Sequence, residues 1–267
     1  MSTALSSLDA LRALVRSYPS ALLGFSGGVD SALLGVVLRQ ELGRERMRGV
    51  IGRSASYPEV QWRTALDLAA QFDIPVLEVD THELDDPNYL ANPTNRCFFC
   101  KGELWSRLGV VARDLGFAVV CDGTNADDLR EHRPGRAAGV AAGVRSPLAE
   151  AGMTKSDVRA AAAELGLPNW DAPAAPCLSS RVQYGLRITP QRLGQVEAAE
   201  AYLRELGVAG NARVRHLGGT ARVEVEPDWI PTLAARWDEV AARLATLGFE
   251  RAELDPRGYR RGSLLGA

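Results

Sequence analysis

Six consecutive residues, Ser26-Gly-Gly-Val-Asp-Ser31, carry the densest chemical signal in the chain. Gly27 and Gly28 lack Cβ atoms, so the backbone there can bend and turn several N–H groups toward one anion. Ser26 and Ser31 add hydroxyl donors, and the Asp30 carboxylate suits a magnesium ion riding on bound phosphates. The segment has no lysine of the kind that completes a Walker A loop, which disfavours a simple γ-phosphate hydrolase. A bare strand-to-helix turn is the competing reading. A pair of glycines alone would favour it, and the added Ser, Asp and Ser argue against it.

The second signal is sulfur. Cys97 and Cys100 form a C-x-x-C pair, Cys121 sits in an apolar run, and Cys177 follows a Pro-rich loop. Four unevenly placed cysteines do not make a disulfide scaffold, so metal, cluster or catalytic roles move forward. Two thiolates three residues apart at a helix start can chelate one metal centre, and Arg96 and Lys101 would favour their ionised forms. Structural zinc is one such centre and an iron–sulfur cluster another. Cys121, between Val120 and Asp122, reads as a small core residue. His82, His132 and His216 are scattered without ligand spacing and receive no role.

The elements that must hold these groups follow from pattern. Short β-branched and apolar runs at 21–25, 47–52, 75–80 and 117–122 alternate with helical stretches at 31–42, 58–72 and 97–115. That alternation predicts an α/β fold, a doubly wound parallel sheet whose ligands bind where strand ends meet helix starts. Residues 131–144, rich in small side chains, read as a loop, and Thr154-Lys-Ser-Asp opens a capped helix. Residues 166–187 are rich in Pro, Ala and Ser and hold the expected boundary between domains 1–170 and 171–267. Beyond it, a helix over 189–206, strands at 212–217 and 221–226, a helix over 228–247 and a strand at 248–254 predict a smaller C-terminal α+β domain.

Composition bounds the function. The chain has 267 residues, 46% of them hydrophobic, enough for a sizeable core. A net charge of −2 and a pI near 6.0 argue against a nucleic-acid partner gripped by the whole surface. No apolar run approaches a membrane span, and Asp9, Arg12 and Arg16 stand where a signal peptide needs an apolar stretch, so a cytosolic protein is expected.

The loop Ser26 to Ser31 resembles the pyrophosphatase loop of ATP pyrophosphatases, a group that includes GMP and NAD synthetases and the tRNA-thiolating enzymes. Five further segments narrow the likeness. They are Asn95-Arg-Cys-Phe-Phe-Cys-Lys101, Asp122 to Asp128, Arg145-Ser-Pro-Leu148, Pro176-Cys-Leu-Ser-Ser-Arg181 and Gly258-Tyr-Arg-Arg-Gly-Ser263. Together they resemble the ATP-dependent sulfur transferases that mature the nickel-pincer cofactor of lactate racemase. The resemblance implies ATP and magnesium at Ser26, Gly27, Gly28, Asp30 and Ser31, with Gly123, Thr124, Asp127 and Arg181 also on the nucleotide. It implies a pyridinium mononucleotide substrate whose carboxylates become thiocarboxylates, a sulfide source, and assembly as a homo-oligomer. It also implies one of two sulfur chemistries. Either the cysteine matching Cys177 donates its own sulfur, or Cys97, Cys100 and Cys177 hold a [4Fe-4S] cluster. Three thiolates leave one iron of a cubane without a protein ligand, and an open iron can hold hydrosulfide. The three-cysteine set favours the second.

In the C-terminal domain, strand alternation puts Arg213 and Arg215 on one face, and Arg222, Glu224 and Glu226 on one face of the next strand. Such a surface is either a solvated sheet face with cross-strand Arg–Glu pairs or a bidentate phosphate grip. The resemblance implies the grip, formed by Arg213, Arg215 and Glu224 with Arg260 or Arg261, the latter preferred. Rival functions are a tRNA thiolase, an ammonia-using synthetase and a nucleotide-binding regulator. The acidic pI disfavours the first, and the three cysteines are unexplained by the second.

Overall fold

The structure, a computed structural model, describes residues 2–130 and 134–264. In chain order the elements are α1 (Ser2–Arg16), β1 (Ala21–Gly24), α2 (Val29–Leu42), β2 (Met47–Arg53), α3 (Glu59–Gln71), β3 (Val76–Asp80), α4 (Pro87–Leu90) and α5 (Arg96–Leu115). Then come β4 (Val119–Cys121), α6 (Pro134–Ala141), α7 (Pro147–Glu150) and α8 (Lys155–Glu164). The last stretch holds α9 (Pro190–Glu205), β5 (Ala212–Leu217), β6 (Thr220–Val225), α10 (Ile230–Ala235), α11 (Trp237–Thr246) and β7 (Arg251–Leu254). The residues fall into two units: Met1–Ser54, Glu59–Glu83 and Asn95–Ala175 form the first, and Ala55–Pro58, Leu84–Thr94 and Pro176–Ala267 the second.

The first unit is α/β, with a parallel sheet in the order β3-β2-β1-β4. The chain steps outward from β1 to β3 and returns to β4 on the other side of β1. That reversal opens a crevice beside β1 at the strand C-termini, the place where such sheets bind ligands. Ala21, Leu22 and Leu23 of β1 have no exposed surface, as a strand covered on both faces requires. Helix α2 is apolar almost all round and is itself core: Leu33, Leu34, Val37 and Leu38 are fully buried. Gly24 ends β1 without a side chain because the Trp105 ring of α5 lies where its Cβ would be, 2.9 Å away.

Three expectations change. The small-residue stretch 131–144 contains helix α6 over Pro134–Ala141. Its glycines let two helices approach closely: a Cβ on Gly135 would meet the Lys101 side chain of α5 at 2.9 Å, and one on Gly139 would meet Trp105 at 3.3 Å. The helix expected over 228–247 breaks at Arg236 (φ −115°, ψ 20°), and Gly248 (φ 96°) delays the final strand to Arg251. Helix α1 adds an element, with Leu8, Leu11 and Val15 buried at helical spacing.

The second unit carries a smaller mixed sheet, β5-β6-β7, with β5–β6 antiparallel and β6–β7 parallel. Val214, Val223 and Val225 pack with Leu203, Leu233, Val240 and Leu244 of the helices into one core. Thr189 caps α9 by accepting from the Arg192 N–H at 3.2 Å, with Pro190 in the first helical turn. Among the described residues, no helix is long and apolar enough to cross a membrane.

Candidate functional site

The phosphate loop joins β1 to α2. Gly27 sits at φ 69°, and a Cβ there would lie 2.9 Å from the Ala65 Cβ of α3, so both backbone and neighbours demand glycine. Gly28 is different. Its φ of −71° is open to any residue and an added Cβ would meet nothing nearer than Ser26 Oγ at 3.6 Å. The bend therefore belongs to Gly27, and Gly28 keeps the loop surface bare. Ser31 Oγ braces the loop: it donates to the Gly28 carbonyl at 3.0 Å, accepts from Ser26 N at 3.2 Å and lies 3.2 Å from Ser26 Oγ. Two amides hold loop carbonyls, Gln61 Nε2 on Ser26 O and Asn169 Nδ2 on Gly27 O, each at 3.0 Å. Gly28 is the N-cap of α2 and offers no side-chain cap to its first N–H groups, which suits an anion at that end.

The segment after β4 closes on this loop. A Cβ on Gly123 would fall 2.8 Å from Ser31 N, so the approach of the two backbones requires glycine there too. Asp122 accepts from Thr124 N at 3.0 Å, Thr124 Oγ1 at 2.8 Å and Ser146 Oγ at 2.8 Å, which knits Thr124 and the Arg145-Ser-Pro-Leu148 segment into the crevice wall. Asn125 reaches across: its Nδ2 donates to Asp30 Oδ1 at 3.0 Å, while its Oδ1 accepts from the Asp127 and Asp128 N–H groups. Lys155 Nζ meets Asp30 Oδ2 at 2.5 Å, and the Lys155 N–H donates to Asp127 Oδ2 at 2.8 Å. Ser26, Gly27, Gly28, Asp30, Ser31, Gly123, Thr124 and Asp127 thus come together.

Sequence reasoning gave no role to Gln61, Asn125, Lys155 or Asn169, although Asn125 lies inside the Asp122 to Asp128 segment that carries the resemblance. Lys155 also left a signal. Lys155 stands at the first position of α8, where a cation opposes the helix dipole, so the local rule is broken for a reason outside the helix.

Cys97 and Cys100 occupy the first turns of α5, three residues apart and hence on one helix face, with Cys97 exposed and Cys100 half-buried. Lys101 Nζ lies 5.1 Å from the centre of the Trp105 ring. Cys121 is fully buried, and burial, before the neighbouring Asp122 and Glu150 carboxylates, drives its thiol pKa up. Cys177 belongs to the second unit and precedes a 3-10 turn, Leu178–Arg181. Its carbonyl accepts from Ser180 N at 3.0 Å, Ser180 Oγ at 2.7 Å and Arg181 Nη1 at 2.9 Å. Arg181 Nη1 also donates to the Pro176 carbonyl, and its Nε and Nη2 grip both oxygens of Glu200 at 2.9 and 3.0 Å in a buried pair. Any nucleotide contact by Arg181 competes with those bonds. Within either unit, among the described residues, no three Cys, His, Asp or Glu side chains are grouped to hold a metal ion.

On β5, Arg213 and Arg215 are nearly buried, at 8% and 6% exposure, so they do not form a solvated sheet face. Arg215 Nε donates to Glu224 Oε2 at 2.9 Å and its Nη1 to the Ser180 carbonyl at 3.3 Å. Ser263 Oγ adds a bond to Glu224 Oε2 at 3.0 Å, and Glu224 Oε1 is buried with no partner among the described residues. Arg213 lies 5.5 Å from the Tyr259 ring centre, and burial, then the Arg181 charge, lowers its pKa. Arg222 pairs instead with Glu253 at 2.5 Å. Arg260 is tied to Asp255 at 3.1 Å, whereas Arg261 is exposed. His216 is buried, its Nε2 3.1 Å from Gln195 Oε1 and its pKa pushed down to about 4 by burial. His82 is exposed, and His132 lies outside the described residues.

Known proteins resemble the chain along most of its length. Residues 6–109, from α1 through the phosphate loop into α5, match the NAD synthase family. A pyridinium-3,5-bisthiocarboxylic acid mononucleotide synthase from Lactiplantibacillus plantarum is 35% identical over 264 residues, 99% of this chain and 95% of its own length. An uncharacterized protein of Synechocystis sp. is 41% identical over 261 residues, 97% of each chain. One from Methanocaldococcus jannaschii is 27% identical over 241 residues, 90% of each. A phosphate loop held at the switch point of a parallel sheet, with end-to-end similarity to that synthase, places the chain in the pyrophosphatase-loop family of ATP-dependent sulfur-transferring enzymes.

Proposed function

We propose that the chain adenylates a carboxylate of pyridinium-3,5-biscarboxylic acid mononucleotide and replaces the adenylate by sulfur, once for each carboxylate. The observation that carries this is the 35% identity along nearly the whole of both chains to a synthase named for the bisthiocarboxylic product. A substrate carboxylate oxygen attacks the α-phosphorus of ATP and the bond to pyrophosphate breaks. Sulfide then attacks the acyl carbon, and AMP leaves with the bonding pair.

The residues suit those roles. The rigid loop at Ser26, Gly27, Gly28 and Ser31 presents backbone and hydroxyl donors where negative charge collects on the leaving pyrophosphate. Gly123, Thr124 and Asp127 line the facing wall. A magnesium ion fits Asp30, a partly exposed carboxylate and hence a hard oxygen donor beside the loop. Arg213, Arg215 and Glu224, with Arg261, form the set for the substrate phosphate. Arg181 holds the Cys177 turn in shape.

A [4Fe-4S] cluster fits the donor chemistry of Cys97 and Cys100, two thiols on one face of a helix start, with Cys177 as third ligand. When bound, such a cluster supplies an iron that binds hydrosulfide. Sulfide would come from a donor in a reducing cytosol. The test is anaerobic purification, iron and sulfide analysis, and assay of pyrophosphate release with the pyridinium substrate, Mg·ATP and sulfide. The expected result is substrate-dependent pyrophosphate and a thiocarboxylate product, with cluster and repeated turnover lost together in Cys97→Ala. Absence of substrate-dependent pyrophosphate overturns the reaction. Iron-free protein whose Cys177 becomes dehydroalanine overturns the cluster and leaves sacrificial sulfur donation.

A further inference from the structure

We infer that Lys155 is an exchangeable ligand of the phosphate loop: its ammonium holds Asp30 while the loop is empty and moves to a phosphate oxygen when magnesium takes the carboxylate. This deepens the proposed adenylation and rests on Asp30 being the metal ligand.

Four observations carry it. Both oxygens of Asp30 are engaged, Oδ1 by Asn125 Nδ2 at 3.0 Å and Oδ2 by Lys155 Nζ at 2.5 Å. A divalent ion can reach Oδ2 only if the ammonium leaves, because two cations at one oxygen repel. The pair is easily opened, since its side chains remain 37% and 24% exposed for Lys155 and Asp30. The anchor beneath it is firm: Thr154 Oγ1 accepts from Asp157 N, Asp157 Oδ2 accepts from Thr154 N, and the Lys155 N–H is held by Asp127. A fixed backbone with a four-carbon stem lets the charge swing without moving α8. Finally, a lysine at the first position of a helix works against the helix dipole, and the contact with Asp30 supplies the reason for it.

A merely structural lysine and an exchanging one predict different signs. Lys155→Met in the full chain should bind Mn²⁺ more tightly in the absence of nucleotide, by about fivefold or more, because a competing charge is gone. The same variant should bind the magnesium complex of the α,β-methylene analogue of ATP roughly tenfold more weakly, because a charge-assisted bond to phosphate is lost. Lys155→Arg should restore part of the nucleotide affinity. Electron paramagnetic resonance reads the Mn²⁺ and calorimetry the nucleotide, and thermal melting checks the fold. Metal and nucleotide affinities that fall together, or do not change, overturn the exchange. Asp30→Asn separates the two ideas. It should lose Mn²⁺ binding and weaken the nucleotide complex. If it keeps both, the assignment of the metal to Asp30 fails and the exchange fails with it. If it loses both while Lys155→Met does not split the two affinities, only the exchange fails.

Discussion

The two charged regions are built on opposite principles. Around the phosphate loop the shape is backbone, and the ion pair on the loop's own carboxylate, Asp30 with Lys155, stays partly in water. In the second unit the shape is side chain: Arg181 with Glu200 and Arg215 with Glu224 are all at or below 8% exposure. A pair of the first kind contributes about 0–1 kcal/mol, so it can open and reform during a cycle. Removing one member of a buried pair costs about 3–5 kcal/mol, because a desolvated charge is left alone. The difference suits the ligands each region would meet. A nucleotide that arrives with its own cation needs a site able to change partners. A single phosphate is better met by guanidiniums already held in place.

That contrast is breakable. The largest effect should come from Arg181→Met, which strands Glu200 and releases the carbonyls of Pro176 and Cys177. Urea titration should show a loss of about 3–5 kcal/mol, against less than about 1 kcal/mol for Asp30→Asn. Equal losses would end the comparison.

The glycines sharpen the backbone side of it. Gly27→Ala forces an L residue into φ 69° against Ala65, which should cost about 1–3 kcal/mol and remove measurable ATP binding. Gly28→Ala meets neither obstacle and should cost less than about 1 kcal/mol in a thermal melt. A variant pair that behaves alike would mean the loop is shaped by something other than Gly27.

Arg213→Ala tests the side-chain region. Substrate affinity should fall by about 1.5–3 kcal/mol, the range for a charge-assisted hydrogen bond, while ATP affinity holds. Parallel losses measured by calorimetry would move Arg213 out of the substrate-phosphate role.

The last test is a pH dependence. Burial lowers the His216 pKa to about 4 from a usual 6.5, so the folded protein keeps the ring neutral after the unfolded chain has taken up a proton. This group's contribution to stability is complete above pH 6.5 and is lost as pH falls toward 4. His216→Gln should flatten that part of the stability curve, measured by urea titration between pH 7.5 and 5. An unchanged slope would remove His216 as its source.

Much of the α/β framework was legible in local pattern. Buried strands, the capped start of α8 and the strand-to-helix turn at Ser26 to Ser31 are written in neighbouring residues, because backbone sterics and capping act over a few positions. Helix α6 was not, since small residues that suggest a loop in isolation are also those that let α6 lie against α5. The Arg213 and Arg215 face stayed ambiguous for a similar reason: strand alternation says which residues share a face, and only packing says whether water reaches it.

Residue type and spacing alone thus determined that this chain carries a phosphate loop, a helix-borne pair of thiols and paired guanidiniums on a strand. Tertiary structure alone decided the partners. Asn125 and Lys155 meet Asp30 across 95 and 125 residues of chain, and Asn169 braces Gly27 across 142. Conformation is set mainly by what a residue's nearest neighbours allow. The partner of a charge is set by which surfaces the hydrophobic core brings together, and no local pattern records that.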